Sequence, residues 1–314
     1  MKIVLDLDTG IDDALALALA VGRADAELIG ITCAYGNIDV DSAARNTLDL
    51  LALLGAEGVP VARGCAGPLS GAPYERKRGS LVFHGENGIG GVALPASAQE
   101  VDARPAAEFL VEVARAHGPE LAIVPTGPLT NIARAIELDP AAMAGVGKIV
   151  LMGGALAVPG NVSPVAEANV SYDPEAANVV FGCCAPVVMV GLDVTLRATL
   201  SRAETESWAA LGPRGQAYAK ILAHYLDATE MVSPGATGCA LHDPLALAVA
   251  LDPSYVDALP CAVTARVDEA QRGRTVLDQA AMDAGARGVA VALDVDASRF
   301  SADFLQTMRT VLAG

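Results

Sequence analysis

The chain has 314 residues, 53% of them hydrophobic, and a net charge of −16 at pH 7. There is apolar material for a large core, yet no apolar run reaches the ~18 uncharged residues of a membrane span. The acidic balance argues against nucleic acid or an anionic membrane as partner, because phosphate binding needs clustered Lys and Arg. The opening MKIVLDLD runs straight into aspartates, unlike a signal peptide, which predicts a cytoplasmic protein. The six cysteines (Cys33, Cys65, Cys183, Cys184, Cys239, Cys261) form no C-x-x-C pair, so reduced, mostly buried thiols are expected and zinc is not.

In chain order, strand-like runs fall at 2–8, 27–36, 121–127, 148–154, 186–193 and 288–295. They are continuously apolar rather than alternating, as in strands covered on both faces. Helical patterns lie between them at 12–22, 41–54, 105–117, 129–138, 202–210 and 214–227. This alternation predicts an α/β fold over 1–314, with a doubly wound, mostly parallel central sheet and helices on both faces. Two stretches, 64–100 and 226–242, read as irregular loops near the site. Ligands of open α/β sheets bind beyond the carboxyl ends of the strands. On that rule Asp6, Asp8, Asp12 and Asp13, then Tyr35–Asn37, Thr126 and Met152, converge on one rim.

Four aspartates within DLDTGIDD repel one another, and a hard cation with oxygen ligands would relieve that repulsion. Asp12 as a helix cap explains one of them but not four. A calcium loop of the EF-hand kind starting at Asp6 fails at its twelfth position, Leu17. A dehalogenase-type phosphatase also starts D-x-D, but lacks the second Asp-Asp pair. HDP (242–244), followed by LALAVA, reads on its own as Asp243 capping a helix with Pro244 first inside it.

DLDTGIDD resembles the N-terminal fingerprint of the inosine–uridine-preferring nucleoside hydrolases. YGN (35–37), HGENGIG (84–90), VPTGPLTNIA (124–133), VLMGG (150–154), AEANVSYDPEAA (166–177), VGLDVT (190–195) and HDP are similar to that family's blocks, in its order. The resemblance implies hydrolysis of the N-glycosidic bond of ribonucleosides through an oxocarbenium-like transition state. It implies calcium held by Asp8, Asp13, the Thr126 carbonyl and Asp243, with Asp8 as general base. It implies a ribose clamp of Asp12, Asn37, Asn161, Glu167 and Asn169, with Met152 as a wall or backbone ligand. His242 matches the acid that protonates the leaving base, His84 a contact to the 5′-hydroxyl or base, and Asp6 a support for Gly10 or the helix start. A homodimer or homotetramer is the expected assembly.

Tyrosines that cover the base in relatives are not evident between 223 and 240, where only His224 and Tyr225 are candidates. The base therefore stays open between purine and pyrimidine. Two other classes remain: a metal-dependent phosphatase, which would need Lys or Arg at the site, and a non-catalytic calcium-stabilised nucleoside-binding protein, which would lack Asp8 or His242.

Overall fold

The computed structural model describes residues 1–286 and 288–314. Twelve strands are found among them: β1 (Lys2–Leu7), β2 (Glu27–Cys33), β3 (Val61–Arg63), β4 (Leu121–Pro125), β5 (Lys148–Met152), β6 (Val187–Val190), β7 (Thr199–Ser201), β8 (Gly238–Ala240), β9 (Val256–Cys261), β10 (Val263–Ala265), β11 (Thr275–Leu277) and β12 (Val289–Val295). Eight of them form one sheet in the order β3-β2-β1-β4-β5-β6-β12-β9. All its pairings are parallel except β12 with β9. β7 pairs with β8, and β10 with β11, in two small antiparallel sheets.

The apolar runs are continuous because both sheet faces are covered. Ile3, Leu5 and Leu7 of β1 face one core, Val4 the other, and the same alternation splits Val150 from Ile149 and Leu151 in β5. The first core packs under the helices Ile11–Gly22, Val40–Leu54, Pro213–Val232, His242–Leu251 and Ala297–Ala313. The second packs under Ala106–His117, Thr130–Leu138 and Pro174–Phe181.

Two differences from the sequence reading have simple causes. β3 and β9 went unseen: β3 has three residues, and β9 is an edge strand with four exposed positions, so neither carries a buried run. The 226–242 stretch is mostly regular, because the helix from Pro213 continues to Val232 and β8 follows. Residues 64–100 hold one short helix, Arg78–His84.

The strand order reverses between β1 and β4. In doubly wound sheets the crevice opens at that switch point, beyond the carboxyl ends. Here Asp8 follows β1 and Thr126 follows β4.

Candidate active site

β1 ends at Leu7, and the chain turns directly into the helix Ile11–Gly22. Asp8 lies in the turn, and Asp12 and Asp13 in the first helical turn, where free N–H groups and the helix dipole favour carboxylates. The helix is capped at Gly10, whose N–H donates to Asp13 Oδ2 at 2.7 Å, so Asp12 is not the cap. A Cβ at Gly10 would lie 2.6 Å from His84 Nδ1 and 2.7 Å from Asn37 Nδ2, which leaves room for glycine alone. Asp13 Oδ1 also accepts from Thr126 Oγ1 at 2.7 Å. Asp8 takes two donors from Asn37, the backbone N–H at 2.7 Å and Nδ2 at 3.1 Å. Asp6 does not support Gly10. It instead accepts from Thr32 Oγ1 at 2.5 Å and Asn131 Nδ2 at 2.8 Å, inside the sheet next to β2 and the helix Thr130–Leu138.

From the far side, the helix His242–Leu251 brings in Asp243. Its cap position is Leu241, so Asp243 lies in the first turn rather than capping, and no hydrogen bond to its carboxylate is found among the described residues. Carboxylate oxygens of Asp12, Asp13 and Asp243 all lie within 4.8 Å of one another. This trio differs from the expected ligand set by holding Asp12 in the place of Asp8. Asp8 sits beside it, since Asn37 Nδ2 also reaches Asp13 Oδ2 at 3.4 Å.

These groups are buried, and burial is the main force on their protonation. It lifts Asp8 and Asp243 well above the ordinary carboxylate range and Asp12 to about 8, with repulsion from neighbouring acids adding to the lift, and it raises Asp13 against the hydrogen bonds that Asp13 accepts. No Lys or Arg among the described residues pairs with them. The nearest basic group is His84, with Nδ1 3.9 Å from Asp12 Oδ1. Burial pushes that imidazole down to about 3, so it is neutral at pH 7 and supplies no charge. Asp12 Oδ1 has no hydrogen-bond partner among the described residues. Buried carboxylates converging without a counter-charge are a poor arrangement by themselves and a suitable one for a hard cation.

All the expected site residues except Asp8 and Asp13 line one cavity of about 350 Å³, a size suited to a small molecule. Its floor is polar. Asn169 Nδ2 donates to the Thr126 carbonyl at 2.7 Å and to that of Met152 at 3.1 Å, tying the ends of β4 and β5 together. Glu167 is already engaged: it caps the helix Ala168–Tyr172 by accepting from Asn169 N and Val170 N, and also takes Gly154 N. Asn161 is exposed at the rim, its Oδ1 accepting from Ala168 N. His84 Nδ1 accepts from Ile11 N at 3.1 Å, which places the proton of the neutral ring on Nε2. His242 Nδ1 is 2.8 Å from Thr195 Oγ1, and burial lowers its pKa to about 4.

Apolar side chains supply part of its wall: Phe83, Val162, Leu196, Tyr225 and Val232. Tyr225 stacks on His84 with ring centroids 5.7 Å apart and meets Phe83 edge-on at 5.9 Å. His224 is not part of this wall; its Nε2 bonds the Val82 carbonyl. Sequence reasoning missed Phe83 and Leu196, which carry no motif signal, and gave no role to Thr195, the last residue of the VGLDVT block. Tyr225 was recognisable only as an aromatic in a helical run.

An acidic, cation-compatible cleft at the switch point of a doubly wound sheet defines a class of site, and comparison with known proteins narrows it. Residues 3–302 match the family model of the inosine-uridine preferring nucleoside hydrolases. The inosine-uridine preferring nucleoside hydrolase of Leishmania major is 38% identical over 281 residues, covering 88% of this chain and 87% of its own length. A pyrimidine-specific ribonucleoside hydrolase of a Shewanella species is 36% identical over 95% of this chain and 93% of its own. Among solved structures, a purine-preferring ribonucleoside hydrolase from Gardnerella vaginalis superposes with a TM-score of 0.97 at 41% identity, covering 100% of this chain and 99% of the other. The chain belongs to the inosine–uridine preferring nucleoside hydrolase family, and so to the hydrolases of N-glycosyl bonds.

Proposed function

We propose that the protein hydrolyses the N-glycosidic bond of ribonucleosides, giving ribose and free base, with calcium as its ion. The observation that supports this most is the mixed lining of one cavity, carboxylates and amides together with apolar side chains, in a chain of this family. The floor suits a polyhydroxylated sugar, whose hydroxyls both donate and accept. The wall suits the flat face of a purine or pyrimidine.

Asp13, Asp243, Asp12, Asp8 and the Thr126 carbonyl are the groups that would hold the ion. When bound, it supplies the charge that keeps these carboxylates ionised and polarises the oxygens it touches. Asp8, aimed by its two bonds from Asn37, takes the proton of the attacking water. Asp12, Asn37, Asn161 and Asn169 hold the ribose. Glu167 contributes mainly by fixing Asn169, since its oxygens already accept three backbone N–H groups. Met152 forms a wall beneath the sugar, and His84 offers Nε2–H. His242 stands by the leaving base. Burial keeps its ring neutral at pH 7, so it assists as an N–H donor while negative charge grows on the base.

The phosphatase reading finds no support, because neither Lys nor Arg lines the cavity among the described residues. A purely binding role is disfavoured because Asp8 and His242 are both in place. We further infer a single folding unit over 1–314, working in the cytoplasm as a homodimer or homotetramer; no helix among the described residues is long and apolar enough to cross a membrane.

A panel of purine and pyrimidine ribonucleosides, assayed for free ribose and free base, tests this. Release of both from at least one nucleoside is expected. Phosphate release from nucleotides with intact nucleosides would overturn it.

A further inference from the structure

Asp8 depends on one peptide unit. A single planar peptide carries both the Gly36 carbonyl and the Asn37 N–H, pointing in opposite directions. The N–H end donates to Asp8 Oδ2 at 2.7 Å. The carbonyl end accepts from two phenols, Tyr74 Oη at 2.8 Å and Tyr172 Oη at 3.0 Å. Both lone pairs of that oxygen are thus engaged by side chains remote in sequence.

The arrangement around this unit is specific. Gly36 has φ +154, and a Cβ there would run into the Asp8 carboxylate, so the position must be glycine. Glycine also leaves the peptide free to rotate, so the two phenols supply the restraint that the backbone lacks. Their rings pack against buried Tyr35, with centroids 5.4 and 5.9 Å away, which fixes their direction. Tyr172 is held in turn by Lys77 N, donating to its Oη at 3.2 Å, and by Lys77 Nζ lying 3.8 Å above its ring.

Resting on the reading of Asp8 as general base, we propose that Tyr74 and Tyr172 are positioning residues for the reaction: together they lock the Gly36–Asn37 peptide so that its N–H holds Asp8 in line with the water. Donors on the carbonyl also polarise the amide, which strengthens the bond at its other end. Neither phenol lines the cavity. Their removal should therefore act on turnover and leave substrate affinity alone.

The test uses Tyr74→Phe, Tyr172→Phe and the double variant, which keep the rings and delete the hydroxyls. Each single variant leaves one donor on the carbonyl, and kcat should fall less than about threefold. The double variant leaves none, and kcat should fall at least about tenfold, with KM within about twofold of wild type. Hydrogen–deuterium exchange at the Asn37 amide supplies a readout independent of catalysis: the double variant should exchange at least about tenfold faster. Unchanged exchange would overturn the lock, as would a loss carried by KM instead of kcat. Faster exchange with unchanged kcat would overturn the positioning role, whereas the general-base reading of Asp8 fails only if Asp8→Asn keeps normal turnover, so the two readings fail separately.

Discussion

Two helices meet at the site, and they deliver their acids differently. Ile11–Gly22 and His242–Leu251 are both almost wholly apolar, both buried, and packed against each other. The first opens with two carboxylates in its first turn and the second with one, and neither has a basic residue in its last. At the first, Asp13 accepts from Gly10 N and Thr126 Oγ1, and neighbouring Asp8 from Asn37. At the second, Asp243 accepts from nothing among the described residues, and every charged neighbour raises its proton affinity. One wall of the site is preset by hydrogen bonds. The other is set by charge and needs a cation to be comfortable. A single cluster of aspartates therefore contains members that hold the fold and members that wait for a ligand.

The largest effect should come from the preset side. Asp8→Asn keeps shape but cannot take a proton, and kcat should fall by ~10²–10⁴-fold with the fold intact by circular dichroism. Normal turnover would remove Asp8 from the mechanism.

The comparison itself is sharpened by pairing Asp13→Ala with Asp243→Ala. Both should weaken calcium binding by about a hundredfold, since ligand charge sets affinity. Only Asp13→Ala should also destabilise the metal-free protein, by ~1–3 kcal/mol, because it strands buried donors on Gly10 and Thr126. Asp243→Ala should leave metal-free stability equal or higher, since it removes an uncompensated buried charge. Equal losses in denaturant melts would erase the distinction.

Much of this was legible in the sequence, and the gaps have physical causes. Continuous apolar runs predicted six strands of the main sheet, because two covered faces leave no alternation to misread. The acids were visible because like charges packed into DLDTGIDD have no structural excuse. Their partners were not. Thr32 and Asn131 reach Asp6, beneath the site, across 26 and 125 residues of sequence, and Tyr172 reaches Gly36 across 136. Only the folded chain sets such pairs side by side. The cap role of Glu167 was not legible, because it depends on where the short helix Ala168–Tyr172 begins.

A smaller effect concerns the donor beside Asp243. His242→Ala should slow inosine or uridine by about tenfold or more, and slow p-nitrophenyl riboside far less, because that leaving group departs unaided. Equal slowing of both would make His242 a structural or ribose-binding residue. The smallest effect is on bulk stability: calcium at a hundred times its Kd should stabilise the stripped protein by ~2.7 kcal/mol, read as a rise in Tm. No rise would mean that the acids at the two helix starts do not share an ion.

The central claim is that the unpaired and the preset carboxylates form one cation site on which hydrolysis depends. Stripping the protein of metal, then titrating calcium while ribose release is followed, tests it most directly. Activity should vanish on stripping and return in proportion to calcium, reaching its plateau at one ion per chain. Full ribose release from protein shown by elemental analysis to be free of metal would contradict it.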